Sequence, residues 1–295
     1  MSFVEDALKF HAEHNGMLAV ASKVPLNNRE DLALAYTPGV AEPCKAIKEN
    51  KELSFEYTCR GNTVAIVSDG TRVLGLGDIG PEAAMPVMEG KAVLFKTFGD
   101  VDAIPICIDT KDPEEIIETV RRLQPAFAGI NLEDFSSPKC YEIEDRLREI
   151  CDIPVFHDDQ HGTAIACLSA VMGALRYVKK DIKDVKVVVN GCGAAGSAIG
   201  RLFVSMGFPN VIMVERVGAL YKGIDAKLDK IQRYLSEVTN PNMEKGTLAE
   251  VAKGADILVG VSGPNLFTKE IIASMADKAI VFGLANPVPE TSYEA

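Results

Sequence analysis

Apolar runs and amphipathic stretches alternate along most of the chain, and this alternation predicts an α/β protein. Largely apolar runs that predict strands occur for example at 127–132 and 257–261, and we interpret the run at 185–189 as a continuous apolar strand, as is typical of buried parallel strands. Between such runs lie segments with apolar residues at helical spacing, such as 87–98 and 195–206. An alternation of strands and helices along the chain indicates parallel sheets that are covered by helices.

Local signals mark the start of several predicted helices. Asn28 is a suitable N-cap, and Asp112 with Pro113 combines a capping residue with a proline at the first helical position. Thr247 and Glu250 have the spacing of a capping box. We therefore expect helices to begin directly after Asn28, Asp112 and Thr247.

Two further patterns give more specific predictions. The β-rich run at 63–68 is followed by Asp69-Gly70 and a second short run at 72–74, which predicts a hairpin with an Asp-Gly turn. The run at 162–178 is apolar and long, and it predicts a helix that is buried on all sides at the joint between two domains.

Composition and charge exclude several classes of protein. The chain has 295 residues, 47% hydrophobic and 25% charged, as in globular proteins that carry a sizeable core. Its formal net charge of -11, without a long basic run, argues against a nucleic-acid partner. The longest apolar stretch, at 164–175, is too short to span a bilayer, and no apolar leader occurs near the N-terminus. We expect no membrane partner and a cytoplasmic location.

The cysteines and histidines do not indicate a zinc site or a disulfide framework. The seven cysteines are odd in number, form no C-x-x-C pair and lie mostly in apolar runs, which predicts buried thiols in a reducing compartment. His157 and His161 are four residues apart, but no third soft ligand has suitable spacing. We interpret both histidines as structural or supporting residues.

The pattern G-x-G-x-x-G occurs in GCGAAG at 191–196, after a predicted buried strand and at the start of a predicted helix. An acid stands at the end of the following strand, as required for hydrogen bonds to a ribose. A plain strand-to-helix turn is the alternative, but the strand, the glycines, the helix start and the acid occur together, which favours dinucleotide binding at the helix N-terminus. The predicted cofactor contacts are Gly191, Gly193, Ala194, Ala195, Gly196 and Glu215.

The same pattern in GLGDIG, at 75–80, lacks that context. Only a short strand precedes it, and Pro81 and Pro86 follow it, so we expect no helix to begin directly at Gly80. The alternation of predicted elements places a domain boundary near 159–162. We predict an α/β domain with irregular loops at 1–160 and a Rossmann-type, doubly wound dinucleotide-binding domain at 161–295.

Two acidic pairs follow two successive predicted strands. Glu133 and Asp134 form the first pair, and Asp158 and Asp159 form the second. Because ligands of open parallel sheets gather at the carboxyl ends of strands, the two pairs can converge on a cation. Hard oxygen ligands favour Mg²⁺ or Mn²⁺ over zinc. Capping of the following helices is the alternative.

Three further side chains are candidates for chemistry. Lys91 lies in an apolar helical run, where loss of hydration favours the neutral amine that a general base needs, although a surface lysine is the plainer interpretation. Tyr36 lies in a Tyr-Thr-Pro-Gly loop and is either a proton donor or a packed loop residue. Arg72 is either a clamp for a carboxylate or a surface arginine.

Seven segments together resemble the malic enzyme family, and they occur in the family's order over nearly the whole chain. They are Tyr36-Thr-Pro-Gly-Val, Gly75-Leu-Gly-Asp-Ile-Gly, Met85-Pro-Val-Met-Glu-Gly-Lys, Leu132-Glu-Asp-Phe, Asp158-Asp-Gln-His-Gly-Thr, GCGAAG and Ala285-Asn-Pro-Val-Pro-Glu.

The resemblance implies oxidative decarboxylation of L-malate to pyruvate and CO₂ with reduction of NAD or NADP. It implies that Lys91 removes the proton of the malate C2 hydroxyl group, that Asp158 supports this lysine, and that Tyr36 protonates the enol of pyruvate. Arg72 and Asn286 match substrate contacts, and Asn286 also matches a residue near the nicotinamide.

The resemblance also implies that residues 1–160 form the substrate- and metal-binding domain, and it implies the ligands and the assembly. Glu133, Asp134 and Asp159 match the ligands of Mg²⁺ or Mn²⁺, a Lewis acid at the C2 oxygen. Glu215 favours NAD, whereas Arg216 could accept the 2′-phosphate of NADP, and we expect NAD. A homodimer is expected.

Three alternatives remain for the function. A malolactic enzyme uses the same scaffold without net turnover of the cofactor, and a catalytically impaired nucleotide-binding fragment or a scaffold protein would retain only the fold. Family members continue beyond the Asn286 segment, whereas this sequence ends shortly after Tyr293, which indicates a nucleotide domain truncated at its C-terminus.

Overall fold

The protein was analysed as a computed structural model that describes residues 2–292. The chain forms two compact units, each made of several chain segments. The first unit runs to Val73, then covers Asp78–Glu133 and Ile143–Phe156. The second unit covers Leu74–Gly77, Asp134–Glu142 and the chain from His157 onward. The chain end at Tyr293, on which the expected truncation rests, lies outside the described residues.

The strands form two sheets. In chain order they are β1 Thr63–Ser68, β2 Asp102–Cys107, β3 Gly129–Leu132, β4 Val155–His157, β5 Lys186–Asn190, β6 Asn210–Glu215, β7 Gly218–Ala219, β8 Ile257–Gly260 and β9 Ile280–Gly283. The first sheet has the order β2-β1-β3-β4, and the second has the order β7-β6-β5-β8-β9. All pairings given for β1, β5, β8 and β9 are parallel, and only the short β7 is antiparallel to its neighbour β6. The predicted α/β class with parallel sheets is confirmed.

Twelve α-helices occur in the described part of the chain. They are α1 Phe3–His14, α2 Arg29–Ala35, α3 Ala41–Glu49, α4 Ser54–Tyr57, α5 Pro81–Gly99, α6 Pro113–Leu123, α7 Lys139–Ile150, α8 Asp158–Val178, α9 Ala194–Ser205, α10 Lys230–Val238, α11 Leu248–Val251 and α12 Lys269–Ala273.

The predicted capping signals are confirmed. The Asn28 side chain accepts hydrogen bonds from two N–H groups at the start of α2, and Asp112 does the same for α6. Thr247 and Glu250 form the reciprocal capping box of α11. Each cap satisfies N–H groups that have no partner within the helix, and an Asp or Asn cap contributes about 1 kcal/mol.

The predicted hairpin after β1 is wrong. Strand β1 pairs in parallel with β2 on one side and with β3 on the other, so neither edge is free for the run at 72–74. The carbonyl oxygen of Gly70 instead accepts hydrogen bonds from the N–H groups of Ile79 (3.1 Å) and Gly80 (3.3 Å). Residues 70–80 therefore form a closed loop at the carboxyl end of β1.

The expectation that no helix begins at Gly80 is also wrong. Helix α5 begins at Pro81 with Gly80 as its N-cap, and it continues through Pro86. Proline at the first helical position is favourable because its fixed φ suits the helix and its missing N–H group has no partner there. Pro81 is therefore a start signal rather than a break.

The core of the second unit lies against both faces of its sheet. Helix α8 contributes only one face to it, through Ala164, Cys167, Val171 and Leu175. The prediction of a helix buried on all sides is wrong, because Ile165 and Tyr177 on the same helix are exposed. Helix α8 therefore also exposes apolar side chains.

All seven cysteines are free. Only three of them are buried (Cys140, Cys167 and Cys192), whereas Cys44 and Cys59 are exposed, so the expectation that most are buried holds in part. None of the helices within residues 2–292 is both long and apolar enough to cross a lipid bilayer.

Candidate active site and dinucleotide site

Lys91 of the first unit forms an ion pair with the acid that follows β3. Its Nζ atom lies 2.9 Å from Oε1 of Glu133, and the two side chains are only 20% and 7% exposed. Helix α5 places Lys91 beside its buried face, which carries Met88 and Ala92. Lys91 is therefore not a solvated surface lysine, which was the plainer interpretation of the sequence.

Glu133 is held at the end of β3 by two further contacts. Its N–H group donates to the carbonyl oxygen of Val67 on β1 (2.9 Å), which extends the strand pairing by one residue. The Asn131 side chain donates to Oε2 of Glu133 (2.9 Å). Sequence analysis missed Asn131, although a single amide within the apolar run at 127–132, two residues before an acid, was a signal, since alternate residues share one face of a strand.

Arg72 follows a turn at the carboxyl end of β1. Oδ1 of the buried Asp69 accepts hydrogen bonds from the N–H group of Thr71 (3.1 Å) and from its hydroxyl group (2.7 Å). The turn directs the chain out of the sheet and leaves the Arg72 side chain exposed. Arg72 thus lies in the loop that follows the central part of the sheet.

Tyr36 is the C-cap residue of α2, and its side chain is 68% exposed. Among residues 2–292, the structure gives no hydrogen bond between its hydroxyl group and Lys91. The expected acid and base are therefore not joined by a hydrogen bond.

Asp134 and Asp159 lie together in the second unit. The N–H group of Asp134 donates to Oδ2 of Asp159 (2.8 Å), and carboxylate oxygens of the two residues lie within 4.8 Å of each other. Asp134 is 4% exposed and has a φ of 60°, a left-handed conformation that aspartate tolerates better than most residues. A non-glycine residue in this region is often part of a functional site.

The first turn of α8 carries the second acidic pair. Asp158 and Asp159 are its first two residues, at the positive end of the helix. A methyl group at Gly162 would overlap Oδ1 of Asp158, so this glycine makes room for the carboxylate on its own helix. His157 is fully buried, with Nε2 at 3.8 Å from Oδ2 of Asp159, which fits a supporting role.

The donor atoms of these acids fit a hard divalent cation. Asp134 and Asp159 supply carboxylate oxygens at close range, and Glu133 directly precedes Asp134 in the chain. Carboxylates of this kind repel one another unless a cation compensates them, and oxygen ligands suit Mg²⁺ or Mn²⁺.

The glycine-rich turn of the second unit connects β5 to α9. Gly191 has a φ of 116°, α9 begins at Ala194, and no side chain caps its N-terminus. A methyl group at Gly196 would overlap the carbonyl oxygen of Gly191, so the helix can approach the strand only with glycine at this position. The uncapped N–H groups of a 12-residue helix are suitable for binding a pyrophosphate.

Two hydrogen bonds involve residues in or beside this turn. Glu215 lies at the end of β6, and its Oε2 accepts a hydrogen bond from the N–H group of Cys192 (3.3 Å). The hydroxyl oxygens of Ser197 on α9 and Tyr141 are 3.0 Å apart, and burial raises the pKa of Tyr141. Sequence analysis did not single out Tyr141 or Ser197, and no pattern in the sequence connects them.

The loop after β9 carries Asn286, whose side chain is exposed. Gly75 packs closely against this loop, since an added methyl group would lie 2.7 Å from Cδ of Pro287 and 3.2 Å from the carbonyl oxygen of Asn286. The first glycine-rich segment thus contacts the Asn286 loop.

Two family models match the chain. The model described as malic enzyme, N-terminal domain, matches residues 15–148. The model described as malic enzyme, NAD binding domain, matches residues 160–295. A bifunctional malic/malolactic enzyme of Bacillus subtilis is 49% identical over 294 residues, which cover 100% of this chain and 72% of the relative.

The chain belongs to the malic enzyme family.

Other family members support this assignment. An NAD-dependent malic enzyme of Geobacillus stearothermophilus is 52% identical over 279 residues, which cover 95% of this chain but only 58% of that relative. The crystal structure of the NAD-dependent malic enzyme of Thermotoga maritima has a TM-score of 0.95 at 48% identity and covers 98% of this chain and 77% of the other. Relatives named NADP-dependent malic enzyme also match. The chain thus spans little more than half the length of the Geobacillus relative.

Proposed function

We propose that this chain oxidises L-malate with NAD(P) and decarboxylates the product to pyruvate and CO₂. The observation that carries the proposal is the Lys91–Glu133 ion pair, because it joins a shielded amine to an acid that directly precedes Asp134. The chain supplies a candidate base, candidate metal ligands and a dinucleotide turn, the parts that this chemistry needs.

Lys91 is the proposed general base. In its neutral form the amine would take the proton of the C2 hydroxyl group, and a bound nicotinamide would supply the acceptor for the hydride from C2. Asp158 is proposed to support the lysine, and Arg72 and Asn286 are proposed to bind the substrate. The exposed guanidinium group of Arg72, in the loop after β1, is suited to pair with one of the two carboxylates of malate.

Glu133, Asp134 and Asp159 are the proposed ligands of Mg²⁺ or Mn²⁺. Such a cation would supply Lewis-acid assistance at the C2 oxygen during loss of CO₂. The ammonium group of Lys91 lies 2.9 Å from Oε1 of Glu133, so a cation bound by Glu133 would compete with it, and Lys91 would act as a base only in its neutral form.

Tyr36 is the proposed acid that delivers a proton to C3 of the enol. Its exposed position lies in an N-terminal stretch in which none of the helices α1 to α4 contains a buried residue. Large apolar side chains are exposed there, including Phe3 (88%), Leu8 (71%) and Val20 (100%). Exposed apolar surface of this extent supports the proposal of a homodimer. Sedimentation equilibrium would test it, with the mass of one chain as the contradicting result.

NAD is the proposed cofactor. Glu215 at the end of β6 would receive the ribose hydroxyl groups and repel the 2′-phosphate of NADP, although Arg216 is its neighbour. A cytoplasmic location is proposed because the chain has seven free cysteines, which suit a reducing compartment.

A malolactic reaction is the second candidate, since one relative is named a bifunctional malic/malolactic enzyme. It would convert malate to lactate and CO₂ without accumulation of reduced cofactor. Absorbance at 340 nm and a lactate assay on the same sample distinguish the two reactions.

The experiment uses L-malate and Mn²⁺ with NAD or NADP in parallel, and compares the chain with Lys91→Ala and Lys96→Ala. Lys96 is a matched control on the same helix, 55% exposed and paired with Asp100 and Asp102. We expect absorbance to increase with NAD, to be lost in Lys91→Ala and with a chelator, and to be unchanged in Lys96→Ala. Folded chain that binds dinucleotide but shows no turnover with either cofactor would refute the proposed activity.

A further inference from the structure

A fully buried carboxylate holds two loops of the second unit together. Glu290 is 0% exposed. Its Oε1 accepts hydrogen bonds from the N–H groups of Ser262 (2.8 Å) and Gly263 (3.4 Å), and its Oε2 accepts one from Ala285 (3.0 Å). Hydrogen bonds to an ionised acceptor are stronger than those between neutral groups, and a buried acceptor must be satisfied.

The two loops follow the neighbouring parallel strands β8 and β9. Backbone hydrogen bonds support the side-chain contacts, from Phe267 N–H to the carbonyl oxygen of Glu290 (2.9 Å) and from Asn265 N–H to that of Pro289 (3.1 Å). A methyl group at Gly260 would overlap the Glu290 side chain, so the end of β8 has room for this carboxylate only because glycine stands there.

The first loop reaches the dinucleotide turn. A methyl group at Gly191 would lie 3.0 Å from the carbonyl oxygen of Val261 and 3.1 Å from Cβ of Ser262. The Asn190 side chain, at the end of β5, donates to the hydroxyl oxygen of Ser262 (2.8 Å). Through Ser262, Glu290 is therefore connected to the turn that would hold the pyrophosphate.

The second loop contains Asn286. The residue before it, Ala285, donates its N–H group to Oε2 of Glu290. The same loop also packs against Gly75, where an added methyl group would lie 2.7 Å from Cδ of Pro287. The Asn286 loop is thus restrained by hydrogen bonds at Ala285 and by close packing at Pro287.

We propose that Glu290 is a positioning residue, which fixes the Asn286 loop relative to the dinucleotide turn. This inference rests on the proposed function, in which Asn286 contacts malate near the nicotinamide. Reacting groups displaced by about 1 Å lose on the order of 100-fold in rate, so a loosened loop lowers turnover without any change in the groups that react.

The variant Glu290→Gln is expected to affect the two loops differently. Its amide oxygen accepts two hydrogen bonds if it faces Ser262 and Gly263, but only one if it faces Ala285, so the first orientation is favoured. The amide NH₂ group then opposes the N–H group of Ala285, and two donors face each other. We expect the Asn286 loop to loosen while the Ser262 loop stays in place.

Glu250→Gln is the matched control. Glu250 also accepts a hydrogen bond from a backbone N–H group, that of Thr247 (2.6 Å), but it caps α11 and contacts neither loop. Both variants replace a carboxylate that accepts a hydrogen bond from a backbone N–H group with an amide of the same shape. Only Glu290 uses both of its oxygens for backbone N–H groups, so only Glu290→Gln must lose one of these acceptors.

The first measurement is hydrogen–deuterium exchange of the full chain, which needs no turnover. In Glu290→Gln we expect at least tenfold faster exchange in the peptide that contains Ala285, unchanged exchange in the peptide that contains Ser262, and no local change in Glu250→Gln. Equal exchange at Ala285 in the chain and the variant would overturn the inference. Acceleration across the whole second unit would also overturn it, because Glu290 would then be merely structural.

The second measurement is kinetic. We expect kcat with malate to fall about 10- to 100-fold in Glu290→Gln, while the Kd of NADH stays within twofold of that of the unaltered chain. NADH fluorescence gives this Kd without an indole background, since the chain contains no tryptophan. Unchanged kcat despite faster exchange at Ala285 would overturn the positioning role.

The two proposals fail in different ways. If the unaltered chain shows no turnover with malate, the proposed function fails, and the exchange pattern still decides whether Glu290 fixes the Asn286 loop. If the unaltered chain is active and the exchange and kcat of Glu290→Gln match it, only the inference about Glu290 fails.

Discussion

Replacement of Lys91 by methionine would test the charge balance at Glu133. Methionine retains most of the volume of the lysine side chain but removes the ammonium group that lies 2.9 Å from Oε1 of Glu133. The packing beside Met88 and Ala92 is therefore preserved. The change isolates the electrostatic contribution of the ion pair.

The expected loss of stability follows from burial. Removal of one partner of a buried ion pair costs about 3–5 kcal/mol, because the other charge stays buried without compensation. Lys91 is 20% exposed, and Asn131 still donates to Oε2 of Glu133, so we expect the lower end of this range. A loss of about 3 kcal/mol corresponds to a decrease in Tm of about 6–12 °C for a domain of this size. Thermal unfolding in the presence of a chelator measures it.

Added Mn²⁺ makes the test specific. A ligand at 100 times its Kd stabilises the folded state by about 2.7 kcal/mol. In Lys91→Met a cation bound by Glu133 would replace the missing positive charge, whereas in the unaltered chain it would compete with the ammonium group. We therefore expect Mn²⁺ to raise Tm more in Lys91→Met than in the unaltered chain, and a chelator to reverse the increase.

Lys45→Met is the control within the same unit. Lys45 pairs with Glu42 at 2.6 Å, but the side chains are 68% and 74% exposed, and such pairs contribute about 0–1 kcal/mol. The reasoning is refuted if Lys91→Met destabilises the chain no more than Lys45→Met does. Equal Mn²⁺ shifts in Lys91→Met and the unaltered chain would refute the metal ligation by Glu133.

Four further predictions concern the second unit and the thiols. Phe203→Ala removes a fully buried ring from the core and should lower the free energy of unfolding by about 3–5 kcal/mol in urea titrations; a loss below about 1 kcal/mol would contradict the packing. Gly196→Ala places a methyl group against the carbonyl oxygen of the turn's first glycine, so we expect NADH to bind at least tenfold more weakly in fluorescence titrations, and unchanged binding would contradict it. Burial raises the pKa of Cys167 from 9.0 to about 12, so at pH 8 a thiol reagent should modify Cys44 and Cys59 by mass spectrometry while Cys167 stays unmodified. Because the folded pKa of Cys167 is raised, its contribution to stability is complete below pH 9 and is lost as the pH rises towards about 12. In urea titrations, the free energy of unfolding should therefore fall less over this pH range in Cys167→Ala than in the unaltered chain.

Much of the local structure followed from the sequence, because its causes are local. The strands at 129–132, 186–190 and 257–260 were recognised from largely apolar runs, within one or two residues at most ends. Errors arose where a pattern had two explanations. Pro81 begins α5 rather than preventing it, and the apolar composition of α8 did not reveal which of its faces is buried.

The candidate site was predicted in part. Lys91, Glu133 and Asp134 were identified as residues, yet only the structure shows that Lys91 and Glu133 form an ion pair. The residues are 42 positions apart, and their contact depends on how α5 packs against β1 and β2 of the sheet that also contains β3. Sequence analysis missed Asn131, which donates a hydrogen bond to Glu133.

The sequence by itself determined the alternation of strands and helices, the helix starts and the glycine turn with its acid at Glu215, because each depends on neighbouring residues or on one strand-to-helix connection. The tertiary structure decided which polar groups meet. Glu290 shows the difference, since its N–H partners at 262, 263 and 285 lie on two loops that only the parallel pairing of β8 and β9 brings together. Hydrogen bonds and ion pairs act over a few ångströms in space, and spacing along a chain does not report that distance.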